Sequence, residues 1–375
     1  METVSKSESV RNLIVGRIRA GHYGCGSALP SIETLAGEFG VSKNTVSLAL
    51  ASLREAGIIT LEHGKATRVT GKLFQRHVEI IAFGQLPLKN DNFWGEFNCG
   101  IEAELAVYPE ITFHHVQILE SCLHRNEPVP EHIRRGGVLL VGTANEDYLR
   151  RLRRERIPYA VVYESAEGME IPSFSVDYGP VMEQLVARFA AAGCRRIAYV
   201  GLIQSAVIAG IRGANWRKWN AFRQALLRHG LAACPELEIQ CEHFMSRGYL
   251  HTQQLLADPA GRPDAIFYAS DILAPGGYKA IRKAGLRVPD DIQVAGCDDL
   301  EIGDYIFPPL STITFDRFEI GRAAAAALLG RMFRREAIRP RVFPARLRER
   351  DSLSPLRRGV GYSARLSECV PLPSK

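Results

Sequence analysis

The sequence predicts an α/β protein that carries a small helical domain at its N-terminus. In residues 1–71, three short segments have the apolar spacing of amphipathic helices, and a glycine-centred hairpin follows them. In residues 78–352, short apolar segments alternate with amphipathic ones, which is typical of parallel strands joined by helices. Because 375 residues are too many for one such core, we expect more than one domain.

The first part of the chain is predicted to contain three helices. Apolar residues on one face indicate a helix over Val10–Arg19, a second helix after Pro30 and a third after Ser42. Ser31 and Ser42 stand where N-caps are expected. Gly40 allows the tight turn between the second and third helices, because glycine accepts a positive φ without steric cost.

A hairpin follows the third helix. Segments 58–62 and 67–70 are predicted strands, with Gly64 in the turn between them. Three helices and a hairpin in this order predict a winged helix-turn-helix, whose third helix fits the major groove of DNA. The side chains predicted to contact DNA lie at the helix starts and on the wing, and they are Ser31, Ser42, Lys43, Asn44, Thr45, Ser47, His63, Lys65, Thr67 and Arg68.

The charge distribution agrees with this prediction without requiring it. The net charge is +6, and residues 1–77 carry ten Lys and Arg against six Asp and Glu, so this segment has a net charge of +4. The alternative is a small helical domain whose polar face only meets solvent.

The motifs of this segment resemble the GntR-type winged-helix DNA-binding domain. The strings that carry the resemblance are Leu29–Ala36, Gly40–Val46 and Gly57–Ile59, followed by Gly64-Lys65. Two positions depart from the family pattern. Glu33-Thr34 stands where an arginine usually precedes the Leu-Ala pair, and Ala66 stands at the second glycine of the wing. Both departures concern DNA contacts and leave the expected fold unchanged.

The remaining chain is predicted to form parallel sheets covered by helices on both faces. Its length favours two lobes, with a ligand in the cleft at the carboxyl ends of the strands. The predicted strands are Val78–Phe83, Ile111–Val116, Gly137–Val141, Tyr159–Val162, Ile197–Val200, Ala265–Tyr268, Ile292–Ala295 and Ser311–Thr314. We expect domain boundaries at 1–71 for the head, 72–77 for a linker, 78–352 for the two lobes and 353–375 for a flexible tail.

Motifs in this part resemble the LacI-type effector domain, which is similar to periplasmic binding proteins of type I. They are Arg195–Gly201, Asp264–Ala274, Val288–Ile292, Gly296–Asp299, Pro308–Ile313 and Arg350–Ser352. A GntR-type head on such a domain looks like the arabinose-repressor type of bacterial transcription regulator. The resemblance implies a homodimer that binds double-stranded operator DNA and a small-molecule effector, a sugar, that changes the affinity for DNA.

Sugars present hydroxyl groups and an apolar face, so their sites need polar side chains and an aromatic ring. By family position, the candidate ligand contacts are Asp271, Asp298, the guanidinium of Arg217 and the ring of Phe244. Phe93 and Trp94 follow the first predicted strand of the lobes, and Thr143 and Tyr163 stand at the ends of their own strands, so these four are candidates as well. The family pattern Arg-x-x-Gly-Phe, counted back from Phe222, leads to Lys218 and not to Arg217. Alternatives stay open: core packing for Phe93 and Trp94, helix capping for Asp271, a solvated turn for Asp298 and a surface ion pair for Arg217.

Other functions find less support in the sequence. We expect no enzyme, cofactor or metal site, because the chain has no nucleophile or phosphate-loop motif and no Cys-x-x-Cys pair among its eight cysteines. We also expect neither a signal peptide nor a membrane span, and a cytoplasmic location. The alternatives are a regulator that binds DNA constitutively because its cleft is degenerate, and a sugar-binding or sugar-processing protein.

Overall fold

The computed structural model describes residues 5–19, 21–61, 66–71, 76–83, 92–118, 133, 136–142, 146–164, 171–203 and 213–355. Contacts divide the chain into two compact units. The first comprises Met1–Lys89, Phe97–Val162 and Gly321–Arg339, and the second comprises Asn90–Glu96, Tyr163–Ile320 and Pro340–Lys375.

The N-terminal segment forms the predicted winged helix-turn-helix. Its elements are α1 (Lys6–Arg19), α2 (Ile32–Phe39), α3 (Lys43–Glu55) and an antiparallel pair of short strands, β1 (Ile59–Thr60) and β2 (Arg68–Val69). Ile14, Leu35, Val46 and Leu53 pack in a common core with no exposed surface. Helix α1 begins at Lys6, four residues before the predicted start, and the Ser5 hydroxyl ahead of it accepts a hydrogen bond from the Glu8 N–H at 3.2 Å. The two strands are shorter than predicted.

The rest of the chain alternates strands and helices. The strands are β3 (Arg76–Phe83), β4 (Ile111–Ile118), β5 (Gly137–Val141), β6 (Tyr159–Tyr163), β7 (Ser173–Asp177), β8 (Ile197–Gly201), β9 (Glu238–Gln240), β10 (Ala265–Tyr268), β11 (Gln293–Cys297), β12 (Ser311–Thr314), β13 (Arg341–Pro344) and β14 (Arg346–Arg348). The helices are α4 (Asn92–Leu105), α5 (Glu146–Arg154), α6 (Gly179–Ala191), α7 (Ala214–Arg228), α8 (Met245–Leu255), α9 (Ala274–Lys283), α10 (Ile302–Tyr305) and α11 (Arg317–Arg334).

These strands form two six-stranded sheets. Their orders are β13-β7-β6-β5-β3-β4 and β14-β12-β11-β10-β8-β9. In the second sheet, β8, β9, β10, β11 and β12 pair in parallel, and only β14 joins antiparallel to β12. The central strands β8, β10 and β11 are buried along their whole length, as expected for parallel strands covered on both faces.

All eight predicted strands are present, with ends within two residues of the predicted ones. Four further strands, β7, β9, β13 and β14, were not predicted. β13 and β14 lie at sheet edges and carry exposed arginines, so they lack the apolar run that marks a central strand.

Candidate functional site

The first turn of α3 presents polar side chains to solvent. Lys43 and Asn44 are exposed there, whereas Val46 and Leu53 on the opposite face are buried. Ser47 is half-buried, and its hydroxyl donates to the carbonyl of Lys43 at 3.0 Å. The side chains of Lys43 and Asn44 are therefore open to solvent, as is required of a helix that contacts bases in the major groove of DNA.

The hydroxyl groups at the helix starts act within the domain. Ser31 and Ser42 are the N-caps of α2 and α3, and they accept hydrogen bonds from the backbone N–H groups of Thr34 and Thr45, each at 3.1 Å. These bonds satisfy donors that the helix itself leaves open. Ser31 thus fixes the start of α2 and Ser42 the start of α3, apart from any contact with DNA.

Lys43 is paired with an acidic residue. Its ammonium lies 2.6 Å from the Glu33 carboxylate, and both side chains are largely exposed. Glu33 is one of the two departures from the GntR pattern that the sequence shows. A carboxylate at this place repels DNA phosphate and competes for the charge of Lys43.

We expect Glu33→Gln to strengthen DNA binding several-fold and to steepen its salt dependence. A freed Lys43 adds about one phosphate contact, which changes the slope of log K against log salt by about 0.9. Fluorescence anisotropy titrations at several salt concentrations measure both quantities. Glu38→Gln is the matched control, because Glu38 is also on α2 but pairs with Arg17 of α1. An equal effect of both variants would mean that only net charge matters.

The wing is described only in part. Thr67 is half-buried, and the guanidinium of Arg68 donates to the carbonyl of Gly26 at 2.7 Å. His63 and Lys65 lie outside the described residues.

A second cluster of predicted site residues lies within the second unit, where neighbouring strands of its sheet end. Ala269, Asp298 and Phe315 follow the carboxyl ends of β10, β11 and β12, which are adjacent in the sheet. This edge is where ligands bind to open parallel sheets.

A buried ion pair forms the polar part of this cluster. Lys218 of α7 is 1 % exposed; its ammonium donates to the carbonyl of Ala269 at 2.6 Å and lies 3.5 Å from Oδ1 of Asp298. Burial lowers the pKa of Lys218, but the Asp298 carboxylate, together with Cys297, Tyr163 and Tyr178, offsets this effect and holds the pKa well above its ordinary value. Asp298 is buried and has a positive φ of 105°, which is rare and strained for this residue.

One atom of this pair has no hydrogen bond. Oδ1 of Asp298 is buried without a hydrogen-bond partner among the described residues. A buried carboxylate oxygen normally has such a partner, so a ligand hydroxyl is a suitable donor for it.

Aromatic rings form the apolar part. The ring of Tyr163 stacks on that of Phe315 at 5.8 Å and meets those of Phe93 and Trp94 edge-on at 5.2 and 5.6 Å. The hydroxyl groups of Tyr163 and Tyr178 are 2.9 Å apart, and burial raises the pKa of both. Tyr163 also has a positive φ, 74°. The structure therefore brings three of the predicted ligand contacts, Phe93, Trp94 and Tyr163, together.

Arg317 and Arg217 border these rings. Arg317, at the start of α11, donates two hydrogen bonds to the Glu96 carboxylate at 2.8 and 2.9 Å and one to the carbonyl of Asp298. Arg217 donates to the carbonyl of Tyr163 at 3.4 Å, and its Nε is buried without a hydrogen-bond partner within the described part of the chain. Arg217 is thus at the cluster, but the buried cation beside Asp298 is Lys218, the residue to which the family pattern counts back.

Asp271 is directed into the interior and not to this cluster. It has no exposed surface, and its two carboxylate oxygens accept hydrogen bonds from the Thr312 hydroxyl at 2.7 Å and the Leu300 N–H at 2.9 Å. Burial, and next the charge of Asp298, raise the pKa of this carboxyl well above its ordinary value. It caps neither of the helices that follow it, and instead it ties the segment after β11 to β12.

The two remaining predicted ligand contacts, Phe244 and Thr143, are not seen in the cluster. Phe244 precedes α8 and is 61 % exposed, and Thr143 lies outside the described residues. Sequence reasoning missed His243, whose Nε2 accepts a hydrogen bond from the Leu202 N–H at 3.2 Å. Burial, with the charge of Lys218, lowers the pKa of His243 to about 3.

The described residues contain no group of three or more His, Cys, Asp or Glu that could hold a metal ion. No described helix combines the length and the hydropathy that a membrane crossing needs.

Comparisons with known proteins agree with this architecture. Residues 6–69 match the gntR family of bacterial regulatory proteins, and residues 186–353 match the periplasmic binding protein-like domain. The ribose operon repressor of Haemophilus influenzae is 38 % identical over 111 residues, which cover 30 % of this chain and 33 % of that protein. The transcriptional repressor CytR of Escherichia coli K12 is 27 % identical over 249 residues, 64 % of this chain and 70 % of that protein.

A solved structure shows the same fold. The complex of the transcriptional regulator CelR with cellobiose superposes with a TM-score of 0.63 at 21 % identity, and the match covers 86 % of this chain and 100 % of that one. Residues 6–69 are therefore a domain of the gntR family of bacterial regulatory proteins, and residues 186–353 belong to a periplasmic binding protein-like domain.

Proposed function

We propose that this regulator is a homodimeric repressor that binds a roughly palindromic operator through α3 and releases it when a sugar binds. Two heads related by a two-fold axis would read two half-sites of double-stranded DNA. Lys43 and Asn44, exposed on the first turn of α3, support the DNA contact.

The observation that carries the effector proposal is the buried Oδ1 of Asp298, which faces the Lys218 ammonium but has no hydrogen bond within the described residues and lies near aromatic rings. A carboxylate oxygen accepts a sugar hydroxyl, and a ring such as that of Tyr163 covers the apolar face of a sugar. Lys218 faces Asp298 and Arg317 faces Glu96, so these two pairs carry no net charge. The sugar contacts would be Asp298, Lys218, Tyr163 and the rings beside them, while Asp271 would act by holding the neighbouring backbone.

Operator binding measured by fluorescence anisotropy tests this function. The DNA is the region upstream of the protein's own gene, and each titration is repeated with D-ribose, L-arabinose and cellobiose at one fixed salt concentration. We expect one sugar class to weaken binding. Binding that no sugar alters would favour the constitutive regulator.

Asp298→Asn tests the site itself. We expect the responding sugar to bind at least about tenfold more weakly, since the amide offers its hydroxyl a weaker, uncharged acceptor. Operator affinity without sugar should stay at the wild-type value for the folded variant, because Asp298 lies outside the head. The amide also removes the counter-charge of Lys218, so near-ultraviolet circular dichroism at the assay temperature establishes that the second unit is folded. Isothermal titration calorimetry measures the first quantity and anisotropy the second. Equal loss of both would show that Asp298 supports the fold rather than the ligand.

A further inference from the structure

Arg317 connects three parts of the chain at the candidate sugar site. Its guanidinium is 5 % exposed and forms a two-point hydrogen bond with Glu96, the geometry in which arginine holds a carboxylate most firmly. Its third contact is the carbonyl of Asp298. It also lies 5.6 Å from the ring centre of Phe93.

The loop that Arg317 holds is strained. Asp298 and Asp299 have φ values of 105° and 50°, and two successive non-glycine residues at positive φ need surrounding contacts to keep them there. Arg317 secures the carbonyl of Asp298, and Arg348 and Arg350 hold the Asp299 carboxylate at 3.1 and 2.9 Å. The position of the Asp298 carboxylate therefore depends on Arg317.

The partners of Arg317 belong to helices that continue into the other unit. Glu96 is in the first part of α4, and the compact units divide this helix between Glu96 and Phe97. Helix α11 is divided in the same way, between Ile320 and Gly321. Both helices thus begin in the second unit and run on into the unit that includes the DNA-binding head. The Arg317–Glu96 pair joins their first parts to the loop of Asp298.

We propose that Arg317 is a positioning residue that couples sugar binding at Asp298 to the DNA-binding unit, with Glu96 as the partner through which it acts. This inference rests on the proposed sugar-controlled function. A sugar hydroxyl on Asp298 shifts the loop, Arg317 follows the Asp298 carbonyl, and the first turns of α4 and α11 move with it. A ligand changes an equilibrium only through such differential contacts.

The chain offers a matched control. Arg322 and Glu104 form an ion pair at 3.1 Å between the same two helices, α11 and α4, but both residues lie within the first unit. Glu104→Ala removes the same charge from the same helix and leaves the pair at the sugar site intact.

The test measures the operator Kd with and without a saturating sugar, taken from D-ribose, L-arabinose and cellobiose, for the full-length wild type, Glu96→Ala, Arg317→Lys and Glu104→Ala. Couplings of this kind are typically about 5- to 150-fold. We expect Glu96→Ala to reduce the Kd ratio to less than about twofold, Arg317→Lys to give an intermediate ratio, and Glu104→Ala to keep the wild-type ratio. Isothermal titration calorimetry gives the sugar Kd of each variant, so that the sugar concentration can be set to saturate it.

Three results would overturn the inference. If Glu96→Ala kept the wild-type ratio of operator Kd with and without sugar, the Arg317–Glu96 pair would not couple the two binding events. An equal reduction in Glu96→Ala and Glu104→Ala would show that general packing of the two helices is what matters. A ratio of one in the wild type with every sugar would remove the proposed function and this inference together, and so is distinguishable from the first two.

Discussion

Asp298→Ala is expected to destabilise the second unit by about 3–5 kcal/mol, because it leaves the ammonium of Lys218 buried without its counter-charge. Lys218 is 1 % exposed, and the hydrogen bond that it keeps with the carbonyl of Ala269 does not neutralise it. Breaking one side of a buried pair costs far more than the pair itself contributes.

The double variant Lys218→Met, Asp298→Ala should recover most of this loss. Methionine has nearly the length of lysine and carries no charge, so the desolvation cost disappears with the ammonium. The difference between the double variant and the sum of the single ones gives the coupling free energy of the pair. Strict additivity would show that Lys218 and Asp298 do not depend on each other.

Tryptophan fluorescence during urea unfolding is a suitable measurement. All three tryptophans of the chain, Trp94, Trp216 and Trp219, belong to the second unit. The signal therefore follows the unit that contains the pair, even where the two units unfold separately and a single two-state transition does not apply.

Much of the fold could be predicted because the central strands are continuous apolar runs. β10 is predicted to the residue, and the buried helix faces follow from their spacing. The edge strands β13 and β14 were not predicted, because their exposed arginines interrupt any continuous apolar run. In the alanine-rich part of α11, Ala324 and Ala325 have no exposed surface.

The site was harder to predict, because sequence position gives a residue's strand but not the direction of its side chain. Asp271 and Asp298 both follow buried strands, yet the Thr312 hydroxyl and the Leu300 N–H draw Asp271 inward. Lys218 and Phe222 are four residues apart and therefore share the buried face of α7, which is why the count from Phe222 leads to the buried cation. Arg317 has no sequence signal of this kind, since its partners are distant in the chain.

Acid should destabilise the protein through His243. The folded pKa of this residue is about 3, below the ordinary 6.5, because burial and the charge of Lys218 disfavour the imidazolium, and its Nε2 must stay unprotonated to accept the Leu202 N–H. The unfolded chain therefore binds the proton first, and stability present above pH 6.5 is lost as the pH falls towards 3. Between pH 7 and pH 5, protonation of this residue alone lowers the free energy of unfolding by about 2 kcal/mol.

Comparison with His243→Gln isolates this contribution. Glutamine keeps an acceptor for the Leu202 N–H but does not titrate. Between pH 7 and pH 5, the free energy of unfolding of the variant should therefore fall by about 2 kcal/mol less than that of the wild type. The raised pKa of Asp271 acts with the opposite sign, because a carboxyl that is neutral in the folded state loses stability as the pH rises through its folded pKa. That contribution is common to both proteins and cancels in the difference. Urea midpoints that shift equally in the two proteins would mean that His243 is protonated at its ordinary pKa in the folded state.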